Sequence, residues 1–207
     1  MADTEHLTAP SSDDETTPVR KRPRPGERRL QILQTLAAML EQPGAERVTT
    51  ASLAAKIGVS EAALYRHFAS KAQMFEGLID FVDQSVMGLI RQVTDREPAG
   101  PVQASRIVAL LLQFAEKNPG MSRVMIGDAL VLEHERLQER INLLFDKIEA
   151  QLRQSLKGAE PAVSASDAQL IASVLVAFMQ GRLQRFARSG FKRLPSEHLQ
   201  AALARVL

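Results

Sequence analysis

From residue 27 onward, apolar residues recur every three or four positions, the spacing that places side chains on one face of a helix. A first helix is predicted over about 27–42, with Ile32, Leu33, Leu36, Met39 and Leu40 facing inward and Pro43-Gly44 as its stop. Leu53, Ala54 and Ile57 line a short second helix. Gly58 supplies a positive-φ turn after it, and Val59 plugs the bend. Ser60 stands at an N-cap position and opens a third helix, Glu61–His67, from which Leu64 and Phe68 point back to the core. Ser70 and Gln73 form a capping box for a long helix from 71 to about 95, buried along Phe75, Ile79, Val82, Val86, Leu89, Ile90 and Val93.

The pattern stays helical beyond residue 80, broken at Pro98–Pro101, Asn118-Pro119-Gly120 and Gly158–Pro161. Ile107, Leu111, Phe114 and Ala115 set the inner face of a 102–117 helix. A helix of about 30 residues, 128–157, carries a near-heptad stripe of Leu130, Leu137, Ile141, Leu144, Ile148 and Leu152. Another, 166–188, carries Leu170, Ile171, Val174, Leu175, Phe178 and Leu183, with Met179, Gly181 and Phe186 as packing residues. The fold class is therefore all-α. Residues 27–72 form a three-helix N-terminal domain, 73–207 a larger helical bundle, and 1–26 a polar tail.

Two apolar residues leave these stripes. Phe81 falls about 120° from the buried line of its helix at 100° per residue, and Leu110 lies to one side of its own. Two readings stand open: they mark a docking groove, or a neighbouring helix covers them.

Charge sharpens the picture. The net charge is only +2, but residues 1–18 hold five acids and no Lys or Arg, whereas residues 19–79 hold ten Lys or Arg against five acids. The basic excess thus sits in and just before the helical hairpin. Residues 1–26, rich in Ser, Thr, Asp, Glu and Pro, are expected to be disordered. They lead into Arg20, Lys21, Arg22, Arg24, Arg28 and Arg29, interleaved with Pro23 and Pro25. That arm reads equally as a strand laid on a nucleic-acid backbone or minor groove and as a solvated tail.

The chain has no cysteine, which excludes disulfides and thiolate metal sites. No run approaches the roughly 18–20 apolar residues that cross a bilayer, and the acidic start is no signal peptide, so a cytoplasmic protein without a membrane partner is expected. The histidines, His6, His67, His134 and His198, are scattered and the glycines never cluster, which argues against catalysis, a metal or a cofactor. Glu133-His134-Glu135 reads as a solvated part of a charged helix face.

The hairpin itself reads as a DNA-binding helix-turn-helix. Its third helix presents Ser60, Ala62, Ala63, Tyr65, Arg66 and His67 outward, small residues that let it sink into a major groove and polar ones that reach phosphates and base edges. Thr49 caps the second helix and Thr50 opens it, so that their hydroxyls face a phosphate. Lys71 opposes the dipole of the helix it starts, which suits a phosphate contact better than a structural role.

The run A-L-Y-R-H-F-x-S-K resembles the TetR family, whose recognition helix is followed by a Tyr-x-His/Tyr-Phe-x-x-Lys signature, here Tyr65, His67, Phe68 and Lys71. The resemblance implies a homodimer on palindromic double-stranded DNA. The helices 128–157 and 166–188 would pair across the dimer through Leu137, Ile141, Leu144, Ile148, Leu170, Val174 and Phe178.

Between residues 28 and 157 the chain further resembles the nucleoid-occlusion branch of that family, in EAALYRHFASKAQMFEGLIDFV, RIVALLLQFAEKNPGMSRVMIGDAL and LQERINLLFDKIEAQLRQ, and again in FKRLP near residue 191. That branch implies nucleoid association, several dimers per DNA site, and inhibition of assembly of the division GTPase FtsZ by the DNA-bound protein. It also implies that the FtsZ C-terminal tail docks where the 71–95 and 102–118 helices meet, at Phe81, Leu110, Lys117 and Asn118. DNA and the tail would each bind better in the other's presence. The competing expectation is a ligand-responsive TetR-type repressor with an apolar pocket among the middle helices.

Overall fold

The computed structural model describes residues 26–42, 48–159 and 163–207; the arm at Arg20–Arg24 and the Pro43-Gly44 stop lie outside them. Among the described residues there are only helices and turns: α1 (Glu27–Leu40), α2 (Thr50–Ile57), α3 (Glu61–Tyr65), α4 (Lys71–Thr94), α5 (Pro101–Lys117), α6 (Pro119–Met125), α7 (Glu135–Lys157), α8 (Ala165–Arg188) and α9 (Leu199–Leu203), with a 3-10 turn at Asp128–Leu130. The all-α expectation holds. None of these helices is long and apolar enough to cross a membrane.

Four helices start by one device. The hydroxyls of Thr49, Ser60, Ser70 and Ser164 accept the N–H groups of Ser52, Ala63, Gln73 and Asp167, which satisfies one orphan donor at each helix start. The Ser70 box differs from its expected form, because the Gln73 side chain turns back to the N–H of Ala69, one residue earlier.

Several boundaries move from their predicted places. Helix α1 ends at Leu40, with Glu41 as its C-cap. Pro119 does more than break a helix: with no N–H to lose, it begins α6, an element hidden inside the predicted interruption. The 30-residue helix expected over 128–157 is shorter. His134 has extended backbone and is the N-cap of α7, so Leu130 joins the core from the 3-10 turn. The boundary drawn at 72/73 falls within the first turn of α4, so that both halves of the chain share this helix.

Helix α4 is the centre of the bundle, packed against α1, α5, α6 and α7. One continuous hydrophobic cluster runs from Ile32 in α1 through Val82, Ile107, Leu144 and Leu175 to Leu203 in α9. Helices α7 and α8 form the tightest pair. The N-terminal unit is also held at a second point, where α6 meets α1 so closely that a Cβ built on Gly120 would lie 2.0 Å from the Ala37 carbonyl oxygen. Only glycine permits this approach. Gly120→Ala is therefore expected to cost about 1–3 kcal/mol through overpacking, measured as a fall in Tm of several degrees.

Candidate nucleic-acid interface

The hairpin turn is built as its sequence demands. Gly58 takes left-handed backbone (φ 76°, ψ 40°), and its N–H bonds the carbonyls of Ala54 and Ala55. Leu64 and Phe68 are fully buried and fix α3 against the core. Helix α3 closes at Tyr65 and not at His67; Arg66 is its C-cap, and the N–H groups of His67 and Phe68 both reach the Leu64 carbonyl, continuing a tight turn. Ser60, Ala62, Tyr65, Arg66 and His67 are exposed, and Ala63 is half-buried. The presented face is thus the predicted one.

Arg29, expected in a basic arm, braces this face. Its guanidinium lies 4.0 Å from the centre of the Phe68 ring and donates to the His67 carbonyl at 2.7 Å. Sequence spacing gives no sign of this contact, which joins residues 38 apart.

The residues expected to face phosphate are more engaged than their sequence positions imply. Thr49 shares its hydroxyl with the Ser52 cap, and the Thr50 hydroxyl donates to the Glu61 carboxylate at 2.7 Å. Lys71 forms an ion pair with Glu133, beyond the end of α6, and its ammonium also lies 5.7 Å from the centre of the Phe75 ring. The side chain of Glu133 is only 13% exposed. The expectation of a solvated Glu133-His134-Glu135 is corrected accordingly: Glu133 is a partly buried ion-pair partner, and His134 accepts the Arg136 N–H at Nδ1 to cap α7.

Three further pairs continue from Lys71–Glu133: Glu76–Arg136 at 2.8 Å, Asp80–Arg140, and Asp83–Lys147 at 3.0 Å. Numbers rise together on both sides, so α4 and α7 run parallel and the pairs form a ladder. In the first rung the cation is on α4; in the other three it is on α7.

The second predicted site lies on α4 and α5, antiparallel neighbours joined by the 95–100 turn. At 1.5 Å per residue, Phe81 sits about 20 Å from the end of α4, between the heights of Leu110 and Lys117, about 14 and 24 Å along α5. Phe81 is 43% exposed, so the helices around it leave a large part of the residue open to solvent. Leu110 is half-buried, packed against the core, and Lys117 is exposed. Asn118 is half-buried at the end of α5, its amide N–H spent on the Phe114 carbonyl at 2.7 Å.

The expected dimer residues divide. Leu137, Ile141, Leu144 and Ile148 are at most 1% exposed within the single chain, so they belong to its own core and are corrected from that role. The stripe on α7 is spent on α4, α5 and α8. Leu170 (63% exposed) and Val174 (43%) do face outward on α8, beside half-buried Phe178. Leu143 on α7 is 57% exposed, a candidate that the heptad reading passed over because it lies off the stripe.

The helix-turn-helix, the shared α4 and the α-helical bundle define a TetR-type DNA-binding regulator. Residues 32–78 match the family described as bacterial regulatory proteins of the tetR family, and residues 101–205 match the SlmA-like tetracyclin repressor-like C-terminal domain. The chain is 49% identical over 179 residues to the nucleoid occlusion factor SlmA of Idiomarina loihiensis, covering 84% of this chain and 90% of that protein. It is 50% identical over 174 residues to the one from Shewanella oneidensis, covering 83% and 88%. The protein belongs to the SlmA family of nucleoid occlusion factors.

Among solved structures, it is similar to a transcriptional regulator of Aquifex aeolicus (TM-score 0.69, 15% identity, 86% of this chain and 99% of that one). It is also similar to PfmR of Thermus thermophilus (TM-score 0.69, 20% identity, 86% and 97%). At that identity they show the shared fold.

The Lys71–Glu133 pair is testable without DNA. A double-mutant cycle with Lys71→Met and Glu133→Gln, followed by urea unfolding, is expected to return a coupling of about 1 kcal/mol, the level of a partly exposed pair.

Proposed function

We propose that the protein binds palindromic DNA on the nucleoid as a cytoplasmic homodimer and, once bound, inhibits FtsZ assembly through the exposed α4–α5 face. Membership of the nucleoid-occlusion family supports the biological role. The single observation that carries the partner site is Phe81, a large aromatic ring left in water on the helix that begins at the DNA interface. Exposed apolar groups of this size beside charge suit an anchor for a docked peptide.

On DNA, Ala62 and Ala63 let α3 approach closely, while Ser60, Tyr65, Arg66 and His67 supply contacts to bases and phosphates. Thr49 and Thr50 lie at the start of α2, where Thr50 exchanges the Glu61 carboxylate for a phosphate oxygen. Lys71 makes the same exchange, leaving Glu133 for the backbone. That exchange opens the first rung of the ladder while the other three hold, and the resulting tilt of α4 moves Phe81. The two sites are then linked, and linkage works equally in both directions. At the partner face, Leu110 extends the apolar surface, Lys117 pairs with an acidic residue of the FtsZ tail, and the Asn118 side-chain oxygen accepts a peptide N–H. Loading of several dimers on one site belongs to the same reading.

The ligand-responsive repressor fits less well. One solved relative in fold, FadR of Bacillus subtilis, is described in complex with stearoyl-CoA. Here the facing residues of the middle helices, Val82, Val86, Ile90, Ile107, Leu111, Leu144, Ile148, Leu175 and Met179, are 0–3% exposed and pack into one cluster. A ligand chamber would leave its lining atoms beside open space, which these side chains lack.

Binding of a labelled FtsZ C-terminal peptide, followed by fluorescence anisotropy, is expected to strengthen at least fivefold when a selected palindromic duplex is present, the lower end of ordinary coupling energies. Phe81→Ala should remove most peptide binding and leave DNA affinity intact; equal peptide affinity with and without DNA would sink the linkage. Leu170→Asp combined with Val174→Asp is expected to turn the dimer into a monomer by sedimentation, and an unchanged dimer would move the interface elsewhere.

A further inference from the structure

The last turn of α8 and the loop after it gather Arg185, Arg188, Ser189, Lys192 and Arg193 around one open cavity of about 520 Å³. Among the described residues, none of the four cations takes part in an ion pair. Arg185 and Arg188 suit the negative end of the α8 dipole, but that explains neither Lys192 nor Arg193, which lie beyond the helix.

The loop is held in a fixed, strained shape. Gly190 and Phe191 both take left-handed backbone (φ 61° and 63°), a conformation rare for an aromatic residue. The Ser189 hydroxyl accepts the N–H groups of Lys192 and Arg193 at 3.1 and 2.9 Å and so folds both residues back beside the helix end. The Phe191 ring anchors the turn edge-on against Phe186 at 5.1 Å, with the Arg123 guanidinium 5.5 Å from its centre. Farther on, the Ser196 N–H bonds the Glu116 carboxylate at 2.8 Å.

Helix register gives the cluster's position. Gln169 on α8 bonds Arg153 and Glu149 on the antiparallel α7. Following α8 for a further 28 Å or so brings Arg188 level with the start of α7. That is the height at which Glu133 meets Lys71, the first residue of α4. The cations therefore stand at the end of the bundle that carries the recognition hairpin.

We propose that this loop is a second DNA-facing surface, which grips backbone phosphates outside the half-sites read by α3; the proposal rests on the DNA-binding reading above. A preformed, unpaired group of four cations at that end fits a polyanion running past the hairpin. It adds affinity and salt dependence, not base choice.

The test uses the full-length dimer and a palindromic duplex selected with it from a random pool. Its dissociation constant is measured against KCl concentration for the wild type and for Lys192→Gln/Arg193→Gln. The log Kd–log salt slope is expected to fall by about 2–4 per dimer, since each lost phosphate contact removes close to one. Half-site base preference and dimer mass should stay unchanged. Arg185→Gln/Arg188→Gln is expected to act in the same direction. An unchanged slope would overturn the proposal, as would dissociation of the dimer. Loss of affinity for a Glu-rich peptide with the DNA slope intact would assign the loop to an acidic protein partner and overturn it too. Failure of the wild type to bind any duplex would instead remove the DNA-binding reading on which it rests.

Discussion

Eight side chains on one side of α4, from Met74 to Val93, are buried, and they carry one core from the hairpin into the larger bundle. Met74, Phe75 and Leu78 lie at the hairpin end of the helix, and Val86, Ile90 and Val93 lie within the larger bundle. Each such burial is worth roughly 1.5–3 kcal/mol, so neither part of the chain keeps its stability without this helix. A DNA-binding unit joined by a flexible linker would move independently of the rest. Here the joint is a continuous rod, and whatever reorients its first turn reorients everything attached farther along.

The ion-pair ladder runs along one side of this rod. Partly exposed pairs contribute little to stability, typically below 1 kcal/mol each, so α7 holds α4 mainly through its buried apolar stripe. The charged pairs set the registration of two parallel helices. The reversed polarity of the first rung puts Lys71, the one α4 cation of the ladder, at the helix end nearest the hairpin. In the proposed DNA complex that is the rung at which a phosphate would meet α4.

Much of this was legible in the sequence because local chemistry dictated it. Thr49, Ser60 and Ser70 cap where capping residues belong, Gly58 turns where only glycine turns easily, and the apolar stripe on α4 keeps its period, with Met74 and Leu78 joining it and Leu89 only half-buried. The exposed face of α3 followed from the same geometry. What stayed hidden was set by contacts between distant residues. An apolar stripe reports that a face is buried but not against what, so Leu137, Ile141, Leu144 and Ile148 read as a subunit interface when they are core. Leu143, off the stripe, was passed over. Pro119 hid α6 because a residue that ends one helix is equally good at beginning the next. The engagement of Lys71 with Glu133, and of Arg29 with Phe68, joins segments that no local pattern relates.

The contact at Gly120 has a geometric consequence of its own. The N-terminal unit is fastened to the bundle at two places, along α4 and where α6 rests on the backbone of Ala37. A continuous helix and a second contact away from it leave the unit little room to swing against the bundle, so the bundle sets the direction in which α3 is presented. In a two-fold dimer the same constraint sets the separation of the two recognition helices, which DNA reads as half-site spacing.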